Sequence, residues 1–314
     1  MHRTLSAAGA FWLAAFTYFI WGFTFLASRI AQDYGTPFVL LFWRFALAFL
    51  VLNLLRLTGR FPVRFRSRKL WPVLLAGLFE PVLYFPCEQY GLRLTSTSFS
   101  GVMVALIPLC SLVYGAIFLH EKATWRQVVF SVLSVAGVIV LAVYATGIDA
   151  GSFLGFLILL GTVFAGAGYI VACRACSVSF TAFERTYITC GMGAAAFGVL
   201  SVLEHRHDLS AVVLPMTHAP FALAIVFLSV VASVLSYLAL NRALEVLPVA
   251  RTAALINFST VVSVLAGVLL LHEPFGWVSA AASAAILVGI WGVQRFAAPA
   301  LPDADKRTEP LPPS

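Results

Sequence analysis

The chain has 314 residues, 61% hydrophobic and 11% charged, with mean hydropathy +0.97 and a formal net charge of +7. Soluble domains carry about 25% charged residues, so this composition excludes a water-soluble globular protein. It also argues against nucleic acid as a partner: no soluble domain is left to present a basic surface, and the excess Lys and Arg reads as topology information.

A hydrocarbon core about 30 Å thick takes roughly 20 apolar residues per helical span, which gives this length room for about ten. Spans are predicted at 11–31, 36–56, 70–90, 97–119, 124–145, 152–173, 180–203, 219–241, 250–272 and 277–296. The basic start (His2, Arg3) runs into an apolar stretch long enough to remain a helix, so no cleavable signal peptide is expected. Trp21 and Thr24 lie in the first span. The second carries Arg44, whose planar fork of donors suits a carboxylate but equally suits pinning two helices. A basic loop, 56–69, follows.

The third span holds the residues with most chemistry, Glu80, Tyr84 and Glu88, spaced i, i+4, i+8 along one helix face. Pro81 and Pro86 each remove a backbone donor there and open the helix toward a cavity or neighbour. Charged groups at membrane depth cost about 2.5–3.5 kcal/mol each on insertion scales, which makes Glu80 a candidate for proton or substrate binding. Its alternative is structural pairing with Arg44, and Glu88 is expected to reach the outer interface. Pro108 is a candidate hinge in the fourth span. Gly161, Gly166 and Gly168 suit close packing of the sixth. Tyr169, Tyr237, Asn257 and Thr260 are polar or aromatic residues in later apolar runs. Glu184 and Arg185, at the start of the seventh span, read as structural.

Other constellations are weaker. Cys173-x-x-Cys176 has no second pair at zinc spacing, and His205, His207 and Asp208 sit in a polar loop. No phosphate-cradling loop, nucleophile elbow or zincin motif occurs, so neither an enzyme nor a resident cofactor or metal is expected.

A signature recurs. Leu119-His120-Glu121, Trp125, Ser131 and Gly137 are matched by Leu271-His272-Glu273, Trp277, Ser283 and Gly289, all offset by 152 (273 − 121). Ser111 and Gly115 meet Ser263 and Gly267 at the same distance. An internal duplication in so apolar a chain points to a transporter built of paired repeats. The Lys/Arg bias sets orientation: fifteen of these residues fall on one side (3, 56, 60, 64, 66, 68, 69, 122, 126, 174, 242, 251, 295, 306, 307) and three (29, 93, 206) on the other. Both termini are therefore expected in the cytoplasm. Five spans per repeat is an odd number, so the second repeat must be inverted, and Glu121 and Glu273 end helices on opposite faces.

In its ordered motifs the chain resembles the EamA-type members of the drug/metabolite transporter superfamily. The marks are Trp21-Gly22, Pro37 with Arg44, Tyr90-Gly91-Leu92 through Thr95-Ser96, Pro108 before Glu121, and the recurring Glu273. Thr260 stands where the second copy would repeat Pro108. The resemblance implies an all-α membrane protein of two inverted five-helix repeats (1–147 and 148–297), and the Pro-rich, polar tail (298–314) is expected to be disordered. It further implies alternating access around a cavity that the fifth and tenth helices do not line. The expected function is secondary transport, as export, of a small polar metabolite such as an amino acid across a bacterial inner membrane. Glu80, Arg44, Tyr84, Trp21, Tyr169, Tyr237 and Asn257 form the expected site. Proton coupling through Glu80 is part of that expectation, and the oligomeric state, a homodimer included, is left open. The rival class is a non-transporting scaffold or intramembrane enzyme.

Overall fold

The computed structural model describes residues 6–59, 61, 63, 69–118, 124–146, 150–177, 179–244 and 256–296, and among them every regular element is helical. The first predicted span is two helices, α1 (Ala7–Gly22) and α2 (Thr24–Gln32), broken at Phe23, which the apolar pattern does not announce. α3 (Pro37–Leu57) is continuous. The third span is α4 (Trp71–Gly77), a π-helical stretch (Leu78–Leu83) and α5 (Tyr84–Leu94). The fourth is α6 (Thr97–Val104) and α7 (Ile107–Phe118). α8 (Trp125–Thr146), α9 (Ala150–Ser177) and α10 (Ala182–Glu204) follow. The expected loop after α10 contains α11 (Ser210–Val213) and a 3-10 turn (Leu214–Thr217). Then come α12 (Ala219–Val226), a second π stretch (Phe227–Leu235), α13 (Ser236–Leu244), α14 (Ile256–Leu270) and α15 (Trp277–Arg295).

Among the described residues four segments are each long and apolar enough to cross a bilayer: Ala8–Gln32, Pro37–Leu57, Ala182–Glu204 and Ala219–Leu240. Glu121 and the tail 298–314 lie outside the described residues, as do the side chains of Pro108 and Asn257. The starts of α1, α3, α6 and α10 carry side-chain caps that satisfy first-turn N–H groups. Thr36 accepts from Val39 N, with Pro37 opening α3. Thr181 and Glu184 form a reciprocal capping box on α10, which gives Glu184 the structural role expected of it.

Consecutive helices alternate in direction. The ends of α3, α7, α9 and α15 lie with the start of α1 at one face, the terminal face; the ends of α2, α5, α10 and α14 lie at the far face. Three pairs of equivalent spans, two with seven, four with nine and five with ten, pack against each other, and the pairing is antiparallel. In the α8–α15 pair, Thr124 bonds to Phe296, Gln127 to Val293 and Ser134 to Ile286, so partner numbers fall as residue numbers rise. The contacts are also self-reciprocal. A Cβ on Gly137 would meet Ala282 O and Ile286, and one on Gly289 would meet Phe130 O and Ser134, the same positions shifted by 152. α3 and α10 pair the same way, with Phe42 on Gly198, Phe45 on Phe197 and Phe49 on Tyr187. Between apolar helices in lipid, this close approach of small residues and the van der Waals contact it permits are what hold the pairs.

Candidate substrate site

Helices three and eight, counted as predicted spans, are interrupted in the same register. Shifting the first π stretch by 152 gives 230–235, inside the second. π turns widen the backbone ladder and recur at functional sites. In the second stretch hydroxyls take the loosened carbonyls: Ser233 donates to Leu228 O and Ser236 to Val231 O, both at 2.8 Å. The Trp21 indole N–H donates to Ala232 O at 3.0 Å, tying α1 to the interruption. In the first stretch Pro81 has no N–H to give, and Glu80 leaves helical geometry altogether (φ −141°, ψ 112°).

That departure corrects the single-face expectation for Glu80, Tyr84 and Glu88. Glu80, half-buried, turns across to the other repeat, where its carboxylate accepts from the Tyr237 hydroxyl. The Tyr237 ring lies 5.1 Å from that of Trp21. Three of the expected site residues thus meet where the two interrupted helices face each other.

Arg44 is 3% exposed. Its Nε donates to Ser233 Oγ at 3.2 Å, and its guanidinium lies over the rings of Phe85 (4.4 Å) and Phe45 (5.6 Å). Among the described residues no carboxylate lies within ion-pairing distance of it, so the pairing with Glu80 weighed from the sequence is not made. Its Nη1 is buried with no acceptor in the protein. The arginine is thus held by aromatic faces and one hydroxyl, with a donor to spare.

Glu88 does not reach an interface. It is 5% exposed, hydrogen-bonded to Tyr84, and accepts from Gln89 Nε2 at 2.9 Å. Gln89 also donates to Ser28, and Gln32 donates to Gln89 Oε1 at 2.9 Å. A second carboxylate therefore stands in the same core, inside a polar chain that leads to Gln32. Gln32 in turn lines a far-face cavity of about 390 Å³ with Asp33, Arg93, His205 and His218. The sequence signal for this chain was the Tyr84–Glu88 spacing; Gln89, Gln32 and Ser233 carried none.

The remaining expected residues separate. Tyr169 packs with the apolar cluster of Val73, Ala76, Ala172 and Phe180. Asn257 belongs to α14 and Pro108 to the first turn of α7. The break in helix four falls at Ala105–Leu106, upstream of Pro108, whose ring suits an early helical position but not a continuous ladder. Gly166 and Gly168 do permit close approach, to Ile107 and Phe79. In the far-face loop His207 accepts from Arg206 and Asp208 accepts from Ser210.

The EamA-like transporter family matches the chain twice, at residues 8–143 and 153–295. The chain belongs to this family. Among relatives of this EamA-like transporter, the uncharacterized transporter YcxC of Bacillus subtilis (strain 168) is 32% identical over 285 residues, covering 90% of this chain and 91% of its own. An uncharacterized transporter of Archaeoglobus fulgidus is 25% identical over 284 residues, covering 90% and 97%. A solved crystal structure shares the fold at a TM-score of 0.65 and 19% identity, covering 93% of this EamA-like transporter and 98% of the other chain. The protein is thus a multi-pass membrane transporter of two repeats whose partners are a small molecule and the bilayer.

Proposed function

We propose that this EamA-like transporter exports a small zwitterionic metabolite, an amino acid or close relative, across the bacterial inner membrane by alternating access of two inverted five-helix repeats. The observation that carries the reading is the spare buried donor of Arg44 in the same core as the Glu80–Tyr237 contact. A substrate carboxylate would take the Arg44 fork, and its ammonium would take Glu80, with Trp21 and Tyr237 as walls. Burying a guanidinium with one donor left without an acceptor is costly, and an anionic substrate group offsets that cost. Glu80 is also the group through which protons would couple. Asn257 and Tyr169 stay as expected lining residues of other conformations. The antiparallel pairing of equivalent helices supports the inverted repeat, and the charge bias supports cytoplasmic termini.

The test is uptake into proteoliposomes of a panel of radiolabelled amino acids, neutral, acidic and basic. At least one should accumulate, and Arg44→Ala should abolish it. Glu80→Gln should flatten the dependence of the rate on pH. Transport that is unchanged in both variants would remove this site from the mechanism.

A further inference from the structure

The second copy of the repeated signature closes a seam. Helix α14 ends at Leu270, and His272 turns the chain with a left-handed backbone (φ 54°), returning Glu273 N–H to Gly267 O at 3.1 Å. That turn aims the Glu273 carboxylate at the start of α6, in the other repeat. Its Oε1 accepts from Thr97 N at 2.6 Å, and its Oε2 accepts from Ser98 N at 2.9 Å and Ser98 Oγ at 2.7 Å. Ser96 takes the next donor, Phe99 N. The first turn of α6 is thereby satisfied by an anion lent from 175 residues away, where the positive end of the helix dipole favours it.

Two further signature residues serve the same contact. Gly267 leaves the space that the carboxylate and Ser98 Oγ occupy, since a Cβ there would collide with both. Ser263 donates to Thr97 O at 3.3 Å, and a Cβ on Gly101 would collide with its hydroxyl. Thr260 adds a bond to Gly101 O at 3.3 Å. The seam between α6 and α14 is therefore closed by hydrogen bonds to small residues, with the one charged clasp at its far-face end. α6 has eight residues and is cut off from α7 at Ala105–Leu106, so it can tilt as a unit. The α8–α15 seam, by contrast, is interlocked through Gly137 and Gly289 along backbone and offers no such hinge.

We infer that Glu273 is a gating residue: its carboxylate latches α6 to α14 and holds the far face shut, and transport requires the latch to open. The inference rests on the reading of the protein as an alternating-access transporter but not on its substrate.

The test uses the full chain with its five cysteines replaced and a single reporter, Thr260→Cys, roughly 15 Å below the end of α14 at 1.5 Å per residue. Right-side-out and inside-out membrane vesicles are treated with a membrane-impermeant maleimide, and the labelling rate is read by gel shift. Glu273→Ala should raise the rate at least tenfold from the outside, and Ser98→Ala should raise it by a smaller factor. Gly267→Ala should match Glu273→Ala, because it displaces the carboxylate without removing it. Should Glu273→Ala fail to fold, the Ser98→Ala and Gly267→Ala rates decide. Rates unchanged in folded variants, or raised only from the face that carries the termini, overturn the latch. A raised rate in a protein that moves no amino acid would leave the latch standing and overturn the substrate instead.

Discussion

Arg44 shows how much a single side chain depends on its kind as well as its charge. Its guanidinium lies over the rings of Phe85 and Phe45 while Nε holds Ser233, so its flat face and one edge are in use and Nη1 is left without an acceptor. A lysine keeps the charge but has neither the flat face nor the fixed fork. Arg44→Lys is therefore expected to raise the KM of the transported substrate about tenfold or more, the scale of one charged hydrogen bond at ~1.5–3 kcal/mol. The maximal rate should fall less than the affinity. An unaltered KM in the proteoliposome assay would assign Arg44 to helix pinning alone. Residue type and depth made Arg44 and Glu80 legible in the sequence. Their partners were not, because Ser233 and Tyr237 come from a helix more than 150 residues on and look like ordinary small and aromatic membrane residues.

At the scale of elements, the interruptions matter more than the helices. Prolines announced the π stretch at Leu78–Leu83, but nothing comparable announces Phe227–Leu235, where serines do the work by taking carbonyls. The break at Phe23 is equally silent: a residue with ordinary helix propensity sits at a bend set by tertiary contact, with Gly22 pressed against Val262 and Ser259 O. The geometry of the Glu80 segment is held from behind by α10. Gly193 faces Phe45 Cγ and Pro81 Cγ, which a Cβ would approach to 2.7 and 2.9 Å. Gly193→Val must push α10 away from both, and overpacking of this kind costs about 1–3 kcal/mol. A lower thermal midpoint in detergent is expected, together with weakened transport. Gly59→Val is not a neutral control, since Gly59 has φ 72°; Gly198→Ala, whose Cβ would meet Phe42 at 3.3 Å, should cost less. Equal midpoints for Gly193→Val and wild type would mean that the Glu80 segment holds its shape unaided.

For the molecule as a whole, the duplicated signature was readable as repetition from residues alone. The role of Glu273 was not readable, because an acidic residue just past a helix end looks the same whether it faces water or caps a distant helix. The pseudo-twofold arrangement also has a consequence for orientation. Turning the whole chain over exchanges two similar halves, so packing gives little preference for one orientation, and the choice falls to charge. Six of the fifteen biased residues sit in one stretch, at 56, 60, 64, 66, 68 and 69. Exposed Trp125 and Trp277 start equivalent helices on opposite faces and anchor both interfaces alike, adding no bias of their own. Alkaline phosphatase fused after Asp33, Thr95 or Asp208 should be active, and a fluorescent protein fused after Gly59, Lys122 or the C-terminus should fluoresce. Replacing the six basic residues of the 56–69 stretch with Gln should produce a mixed population in which both reporters register at Gly59. If phosphatase is active at Gly59 in the unaltered chain, the termini lie outside, the Glu273 latch guards the cytoplasmic face, and the charge reading is overturned while the fold stands.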